Sequence, residues 1–274
     1  MLVETSLDIV FMIRLAANLR ELFSYRELVR NLVIRDIRLR YRNSVLGFFW
    51  CLLNPLLMTV VFTVLFTVLL PNNNIDKFPI FILVGILAWN MHSTSIMGAI
   101  GSLTGNAYLI QKVYFPREVL PISIIIANTV NFLLALLVVF GAILIFQVPL
   151  SSTVLLLPLV ILVHVIFTLG IGLFLAAINV YFRDTALIME TVMLAWFFLT
   201  PIFYRIEDVF PAYSRALYIL NPMASIISSY RDILYYGSMT QLDFFSRTTV
   251  TCVLILLVGY YFFVRCSRSF SEAL

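Results

Sequence analysis

Four long stretches of the chain contain no charged residue, and they constrain its fold more than any other feature. These stretches are 46–70, 78–103, 119–146 and 147–182. Each is longer than the roughly 20 apolar residues that a helix needs to cross a bilayer core of about 30 Å. Hydrophobic residues make up 62% of the chain and charged residues 12%, whereas soluble domains are about half apolar and about a quarter charged. The sequence therefore predicts an integral membrane protein and excludes an enzyme of the aqueous phase.

Six transmembrane helices are predicted, in a single all-α domain over residues 1–274. Segment 185–204 carries one charge, Glu190, and segment 248–264 carries none, so both join the set. The predicted spans are about 46–70, 78–103, 119–146, 153–178, 185–204 and 248–264.

The Lys and Arg residues indicate which side of the membrane the termini face. An even number of spans places both termini on one side, and cytoplasmic segments are enriched in Lys and Arg. Of the 18 basic residues, the segments assigned to the inner side hold eight arginines up to Arg42 and also Lys112, Arg117, Arg183, Arg265 and Arg268. Both termini are therefore predicted to be cytoplasmic.

The long connection between the fifth and sixth spans is predicted to contain re-entrant helices. Residues 216–230 carry no charge but are too few to span a bilayer, and Asn221-Pro222 divides them because Pro breaks a helix. Broken backbone at membrane depth is tolerated only inside protein or beside a water-filled cavity. We therefore expect short helices that form an outer gate over about 206–236.

The N-terminal block is predicted to be a basic interface helix over about 26–43. Glu27, Asn31, Arg35, Arg38 and Arg42 recur at spacings of three or four and so share one helical face. Asp36 and Arg40 lie four residues apart and are expected to neutralise each other partly. Such a helix lies in the headgroup plane. Two roles stay open, namely anchoring to anionic lipid and capture of an anionic lipid-linked headgroup. The candidate residues at this substrate entrance are Arg35, Arg38, Arg40, Tyr41 and Arg42.

Polar side chains inside the predicted spans have two interpretations. Thr59, Thr63 and Thr67 form a stripe in the first span, and Asn90 and His92 belong to a polar cluster in the second. Asn128 and Asn131 add a pair to the third span. Such residues commonly form hydrogen bonds between helices. They could instead line a polar, aromatic-rimmed conduit. The channel-lining candidates are Trp50, Thr59, Thr63, Thr67, Asn90 and His92.

Two ionisable residues inside the spans, Glu190 and His164, raise the alternative of a proton-coupled carrier. A membrane-embedded enzyme acting on lipid-linked sugars is a third possibility, and Asp208, Asp232 and Asp243 are the acids it would use. The chain offers no paired carboxylates inside the membrane, no catalytic triad and no zinc spacing among its three cysteines. We therefore assign no catalytic residue and no metal site. Nucleic-acid binding is also excluded, because it needs a basic patch on a soluble face and the Arg-rich block stops where a long apolar run begins.

The chain cannot hold ATP through a phosphate-binding loop of the Walker A type. That loop needs Gly-Lys-Ser/Thr, whereas the only lysines, Lys77 and Lys112, follow Asp76 and Gln111. Any use of ATP must therefore come from a partner. Segment 107–115 is too apolar to stay exposed to water, and it is predicted to dock that partner.

Several motifs resemble one family of transporters. The run RLRYRNSVLGFFW from Arg38 to Trp50, followed by Asn54-Pro55, resembles the opening signature of the permease subunits of type-2 ABC exporters for cell-surface polysaccharides. These exporters move O-antigen, capsule polymers and teichoic acids. The later motifs that resemble this family are FPRE at 115–118 with Pro121, FRD at 182–184, TPIFY at 200–204, and Asn221-Pro222 with Arg231. Together the motifs cover the chain from about residue 26 to its end.

The resemblance implies a homodimer of permeases with two copies of a separate ATPase subunit that binds ATP and Mg²⁺. It implies a bacterial inner-membrane location and a channel between the permeases for a polyprenyl-diphosphate-linked polysaccharide. A coupling helix at about 106–115 would sit in the ATPase. The residues implied to couple to the ATPase are Asn106, Leu109, Ile110, Val113, Tyr114, Arg117, Glu118, Arg183 and Asp184. Those implied for the outer gate are Pro201, Tyr204, Asn221, Pro222 and Arg231.

Overall fold

The computed structural model describes residues 21, 24–42, 47–66, 75–149, 151–209, 211–238 and 242–273. These residues form helices joined by short links, and they contain no β-strand. The α-helices are α1 (Arg26–Tyr41), α2 (Trp50–Val64), α3 (Phe78–Ser102), α4 (Ala107–Lys112), α5 (Val119–Ile145), α6 (Leu157–Tyr181), α7 (Thr185–Leu199), α8 (Ile206–Val209), α9 (Ser214–Leu220), α10 (Pro222–Arg231), α11 (Leu242–Ser267) and α12 (Phe270–Ala273). A π-helical turn, Asp232–Tyr236, follows α10.

The all-helical membrane fold predicted from the sequence is confirmed. Four helices of the described residues are long and apolar enough to cross a bilayer: Phe78–Ser102, Val119–Ile145, Ser152–Tyr181 and Asp243–Ser267. The six-span count stays a prediction, because the first and fifth predicted spans contain shorter apolar helices. Helices α2 and α7 have 15 residues each, or about 22 Å at 1.5 Å per residue. Residues 46 and 67–70 of the first predicted span, Thr67 among them, lie outside the described residues.

Helix α3 forms the centre of the bundle. It packs against α2, α5, α6, α7 and α10, and 78% of its most apolar stretch is buried inside the protein, against 22% for α11. Its buried side chains, such as Phe81, Ile86 and Trp89, point in every direction around the helix axis. A helix that is apolar all round is a core helix. The remaining helices therefore use α3 as their common support.

Helices α6 and α11 approach each other so closely that only glycine fits at their crossing. A Cβ atom built on Gly259 would lie 2.1 Å from the carbonyl oxygen of Gly170. A Cβ atom built on Gly170 would lie 2.7 Å from the backbone nitrogen of Leu256. Small residues allow such backbone contact between membrane helices, which associate through packing because lipid tails are as apolar as the helices themselves.

The basic helix α1 packs its apolar side against the bundle. Leu32 and Val33 are buried, and α1 contacts α5. The expected pairing of Asp36 with Arg40 is wrong, because Asp36 accepts hydrogen bonds from its neighbour Arg35, with Arg35 Nη2 3.0 Å from Oδ1. Within the described residues, no ion pair joins Arg40 to Asp36.

We predict that Gly259→Ala destabilises the protein by about 1–3 kcal/mol, since the added methyl group forces two backbones apart. The matched control is Gly141→Ala in α5, where an added Cβ meets no atom within 4 Å. That control should gain about 0.5–1 kcal/mol, because Ala costs less chain entropy than Gly in a helix. Thermal unfolding of the purified variants in one detergent measures both. Equal stability of the two variants would contradict the close crossing.

Candidate functional site

A buried arginine joins three elements at the end of the bundle where α3 begins. Arg231 of α10 donates from Nη1 to the carbonyl oxygen of Pro201 and from Nη2 to that of Ile202, both at 2.6 Å. Its Nε and Nη2 also contact the carbonyl oxygen of Phe81 at 3.3 and 3.4 Å. The guanidinium carbon lies 3.4 Å from the centroid of the Phe81 ring. Arg231 thus satisfies carbonyl groups where the chain leaves α7, and it ties that break to α3.

Asn221 completes this arrangement from the start of α10. Its side-chain oxygen accepts from Trp196 Nε1 at 3.0 Å and from the backbone nitrogen of Ala224 at 3.4 Å, so it caps α10. Its Nδ2 donates to Thr200 Oγ1 at 3.1 Å. Pro222 then takes the first helical position, where its missing N–H costs nothing. We call Phe81, 200–202, Asn221 and Arg231 the junction.

The structure therefore brings together the residues predicted for the outer gate. Pro201, Asn221, Pro222 and Arg231 all belong to the junction or border it. Tyr204 follows closely, and its hydroxyl donates to the carbonyl oxygen of Phe198 at 3.2 Å. Their role as a gate stays a prediction.

A polar cavity of about 190 Å³ adjoins the junction. Tyr218 donates from its hydroxyl to Glu207 Oε1 at 3.1 Å, and the half-buried Asp232 lines the same space. Burial, together with the nearby Glu207, raises the pKa of the Asp232 carboxyl to about 6, and Arg231 partly opposes this shift. Asp208 and Asp243, the other acids considered for an embedded enzyme, are exposed and do not line this cavity.

The opposite end of the bundle carries the segment predicted to couple to a partner. Only Ala107–Lys112 of the predicted 106–115 helix is α-helical, because Val113 is extended. Ile110 and Phe115 are buried in a cluster with α11 and α12, whereas Tyr108 and Tyr114 are 74% and 86% exposed. Val113 is exposed beside them, and Leu109 is half-buried. The two inward side chains hold the loop, and the outward ones form an aromatic surface, which we call the coupling face.

Sequence reasoning missed Tyr108, because a segment with seven apolar residues among nine does not reveal which side chains point inward. Helical periodicity would have shown that Tyr108 lies on the outer face only if the start of the short helix had been known. Ile110, predicted as a contact residue, instead supports the loop from inside.

Other predicted coupling residues cluster around this face. Asn106 Oδ1 accepts from Arg35 Nη1 at 3.5 Å, and Asn106 Nδ2 donates to the carbonyl oxygen of Ser102 at 2.8 Å, so Asn106 links α1 to the end of α3. Glu118 is buried, and burial raises the pKa of its carboxyl. Arg117 and Glu118 line a cavity of about 690 Å³ between the coupling segment and the end of α11.

Arg183 and Asp184 lie at the same end of the bundle. They are exposed and follow Tyr181, whose ring packs on Phe270 at 6.1 Å between centroids. Phe270 belongs to the buried cluster that also contains Ile110. The turn at 182–184 is therefore connected to the coupling segment through the C-terminal helix α12.

The channel-lining candidates separate into two groups. Trp50 and Asn90 line a cavity of about 290 Å³ between α2, α3 and α5, together with Arg40 of α1. Thr59 is buried and donates to the carbonyl oxygen of Pro55 at 2.7 Å, and Thr63 is half-buried. His92 is fully buried in the protomer, so it lines no open surface.

Among the residues predicted for the substrate entrance, Arg38 and Arg42 are exposed, and for Tyr41 only the backbone is described.

The two buried histidines form a pair inside the bundle. His92 Nδ1 lies 2.9 Å from Thr168 Oγ1, and His164 Nδ1 lies 3.3 Å from Tyr230 hydroxyl, with 5.8 Å between the ring centroids. Glu190 is on the exposed side of α7, and no hydrogen bond or ion pair in the described residues joins it to His164 or Arg183. The pair proposed for a proton-coupled carrier is therefore not brought together.

We predict that Arg231→Met lowers the free energy of unfolding by about 2–4 kcal/mol, because hydrogen bonds from a charged donor are worth about 1.5–3 kcal/mol each and the freed carbonyl groups stay buried. Arg231→Lys should recover only part of this loss, since an ammonium lacks the planar fork that reaches three carbonyl oxygens. Chemical or thermal unfolding in detergent measures the effect. Wild-type stability of Arg231→Met would contradict the role of the junction.

We predict that Asp232→Asn is more stable than wild type at pH 7.5. A raised folded-state pKa means that Asp232 contributes stability below the unfolded pKa of about 4 and that this contribution is lost as the pH rises through about 6. The advantage of the variant should therefore shrink as the pH falls from 7.5 to 4. Melting temperatures across this range test it, with the exposed Asp243→Asn as control. A difference independent of pH would contradict the assignment.

Comparison with known proteins identifies the family to which this chain belongs. The sequence profile of a family described as ABC-2 type transporter matches residues 27–235. The O-antigen export system permease protein RfbA of Myxococcus xanthus is 37% identical over 265 residues, which cover 96% of this chain and 100% of that protein. A protein of the same name from Klebsiella pneumoniae is 28% identical over 96% of this chain and 99% of its own length. The polysialic acid transport protein KpsM of Escherichia coli is 23% identical, over 85% and 92%. Because the family profile covers most of the chain, the protein belongs to the ABC-2 type transporter family of membrane proteins.

Proposed function

We propose that this protein is the membrane-spanning subunit of an ATP-driven exporter that moves a polyprenyl-diphosphate-linked, O-antigen-like polysaccharide out of the cytoplasm. The observation that carries this proposal is the full-length similarity to a relative named as an O-antigen export permease. A capsule polymer or a teichoic acid is the alternative cargo within the same family. A more distant relative, CtrC of Neisseria meningitidis, is named as a capsule polysaccharide export protein and favours keeping the capsule alternative.

In this proposal, ATP and Mg²⁺ bind to a separate ATPase subunit, two copies of which serve a permease homodimer. The coupling face supports this division of labour. Tyr108 and Tyr114 present large apolar surfaces to water at one end of the protein, and exposed aromatic patches mark sites of protein association. Ile110 and Phe115 hold the loop to the bundle beneath. A push on the coupling face would thus reach α3 through Asn106, and α11 and α12 through the buried cluster.

The proposed channel lies between two permease copies. Helix α7 exposes apolar side chains over much of its surface, and Glu190 lies among them. A carboxylate that faces lipid at membrane depth is costly, so this surface favours contact with a water-filled channel or a second copy. Helix α2, with Val60, Val61 and Val64 exposed, offers a second uncovered surface.

The proposed orientation places both termini in the cytoplasm of a bacterium and the protein in its inner membrane. The basic helix α1 then lies at the inner headgroups, where its exposed Arg38 and Arg42 meet anionic lipid or the substrate diphosphate. The junction then lies at the outer side, where it would hold the gate helices α9 and α10 in place.

We predict that Tyr114→Asp lowers permease-stimulated ATP hydrolysis at least about tenfold, because truncated aromatic anchors at interfaces cost about 2 kcal/mol or more and a buried carboxylate adds to the loss. The matched control is Tyr213→Asp, since Tyr213 is 69% exposed at the opposite end of the bundle. Co-purification with the ATPase and hydrolysis in nanodiscs measure both variants. Export of lipid-linked glycan by the permease without any ATPase would overturn the proposed function.

A further inference from the structure

One buried amide in the cavity between α2, α3 and α5 has no partner for either of its polar atoms. Asn128 of α5 is 2% exposed, and neither its oxygen nor its nitrogen forms a hydrogen bond. A buried donor or acceptor without a partner costs about 1–3 kcal/mol, and both are present here. Buried polar groups in folded proteins are almost always satisfied, so Asn128 calls for a polar occupant.

The surroundings of Asn128 supply further groups that recognise polar ligands. Asn90 and Thr94 of α3 and Asn54 of α2 line the same cavity, and no hydrogen bond from the side chain of Asn90 or Asn54 is formed within the described residues. Amides both donate and accept, as vicinal sugar hydroxyls do. Trp50, at the start of α2, adds a flat aromatic surface to the cavity wall.

A cation lines the same cavity. Arg40 belongs to the exposed side of α1, and its expected partner Asp36 is occupied by Arg35. A guanidinium pairs with phosphate oxygens in a two-pronged geometry. The cavity therefore combines a phosphate-binding group from α1 with amides from the bundle interior.

We propose that this cavity, inside a single protomer, binds one sugar unit of a lipid-linked glycan, with the adjoining diphosphate on Arg40. This inference rests on the proposed function. The cavity has a volume of about 290 Å³, about ten times the roughly 30 Å³ that one water molecule occupies in the liquid, so a single water does not fill it. Residues of one protomer alone line this cavity. It lies on the side of the bundle where α1 and the start of α2 meet, so it holds the substrate before translocation.

The test uses the full-length permease with its ATPase in nanodiscs and two soluble probes. One probe is farnesyl diphosphate carrying a single hexose, and the other is farnesyl diphosphate alone. Titration gives the ratio of their dissociation constants. For wild type we expect the hexose probe to bind at least about tenfold more tightly, as two added hydrogen bonds predict. Asn128→Leu should abolish this ratio and leave the affinity for the sugar-free probe unchanged.

A stability measurement separates a binding role from a structural one. Replacing an unpartnered buried amide with an apolar residue of similar shape should leave the melting temperature unchanged or raise it. The matched control is Asn179→Leu, because Asn179 is equally buried but donates to the carbonyl oxygen of Ile100 at 2.9 Å. That control should melt earlier and keep the wild-type ratio of affinities.

The inference is overturned if Asn128→Leu keeps the wild-type ratio of dissociation constants. It is also overturned if phosphatidylglycerol displaces the bound hexose probe at the same concentration as unlabelled hexose probe does. The second result would assign the cavity to a phospholipid headgroup.

Export of a lipid-linked glycan is measured in the same nanodiscs. Absence of ATP-driven export by the wild-type complex defeats the proposed function. Export combined with an unchanged ratio in Asn128→Leu defeats the cavity assignment alone.

Discussion

The fold depends on one requirement, that every backbone polar group at membrane depth finds its partner inside the protein. Continuous helices meet this requirement by themselves, but the chain breaks after α7, where Pro201 and Ile202 leave carbonyl groups without helical donors. The guanidinium of Arg231 supplies the missing donors, and Asn221 joins the end of α7 to the start of α10. The short helices that follow can pack against α3 only because the break is satisfied in this way.

The junction and the coupling segment contact opposite ends of α3. Phe81, whose carbonyl oxygen accepts from Arg231, lies in the first turn of α3. Ser102, whose carbonyl oxygen accepts from Asn106, is the last residue of α3. In the proposed exporter, the dense packing around α3 would transmit a displacement at one end of the helix to the other. The structure thus gives a physical reason for motifs so far apart in sequence to belong to one transporter.

Much of this architecture could be predicted from the sequence, and the exceptions have identifiable causes. The absence of charge over long stretches determines the fold class, since bilayer thickness sets the length of a span. Partners within the bundle could not be predicted, because periodicity shows that residues share a face but not what covers it. His92 was therefore expected at a channel surface and is buried beside Thr168, while Asp36 pairs with Arg35 and not with Arg40. The sequence pairs Asn128 with Asn131 but does not reveal that the Asn128 amide lacks a partner.

The contact between Gly170 and Gly259 has a consequence for biogenesis. Helix α11 leaves the ribosome after α3, α5 and α6, so it meets a bundle whose other long helices have already been synthesised. At the crossing the two backbones touch directly, so no side chains have to interlock there before the helix can dock. Docking of α11 therefore requires little rotamer ordering at the closest point of approach, and α11 can join the assembled bundle late without disturbing the packing around α3.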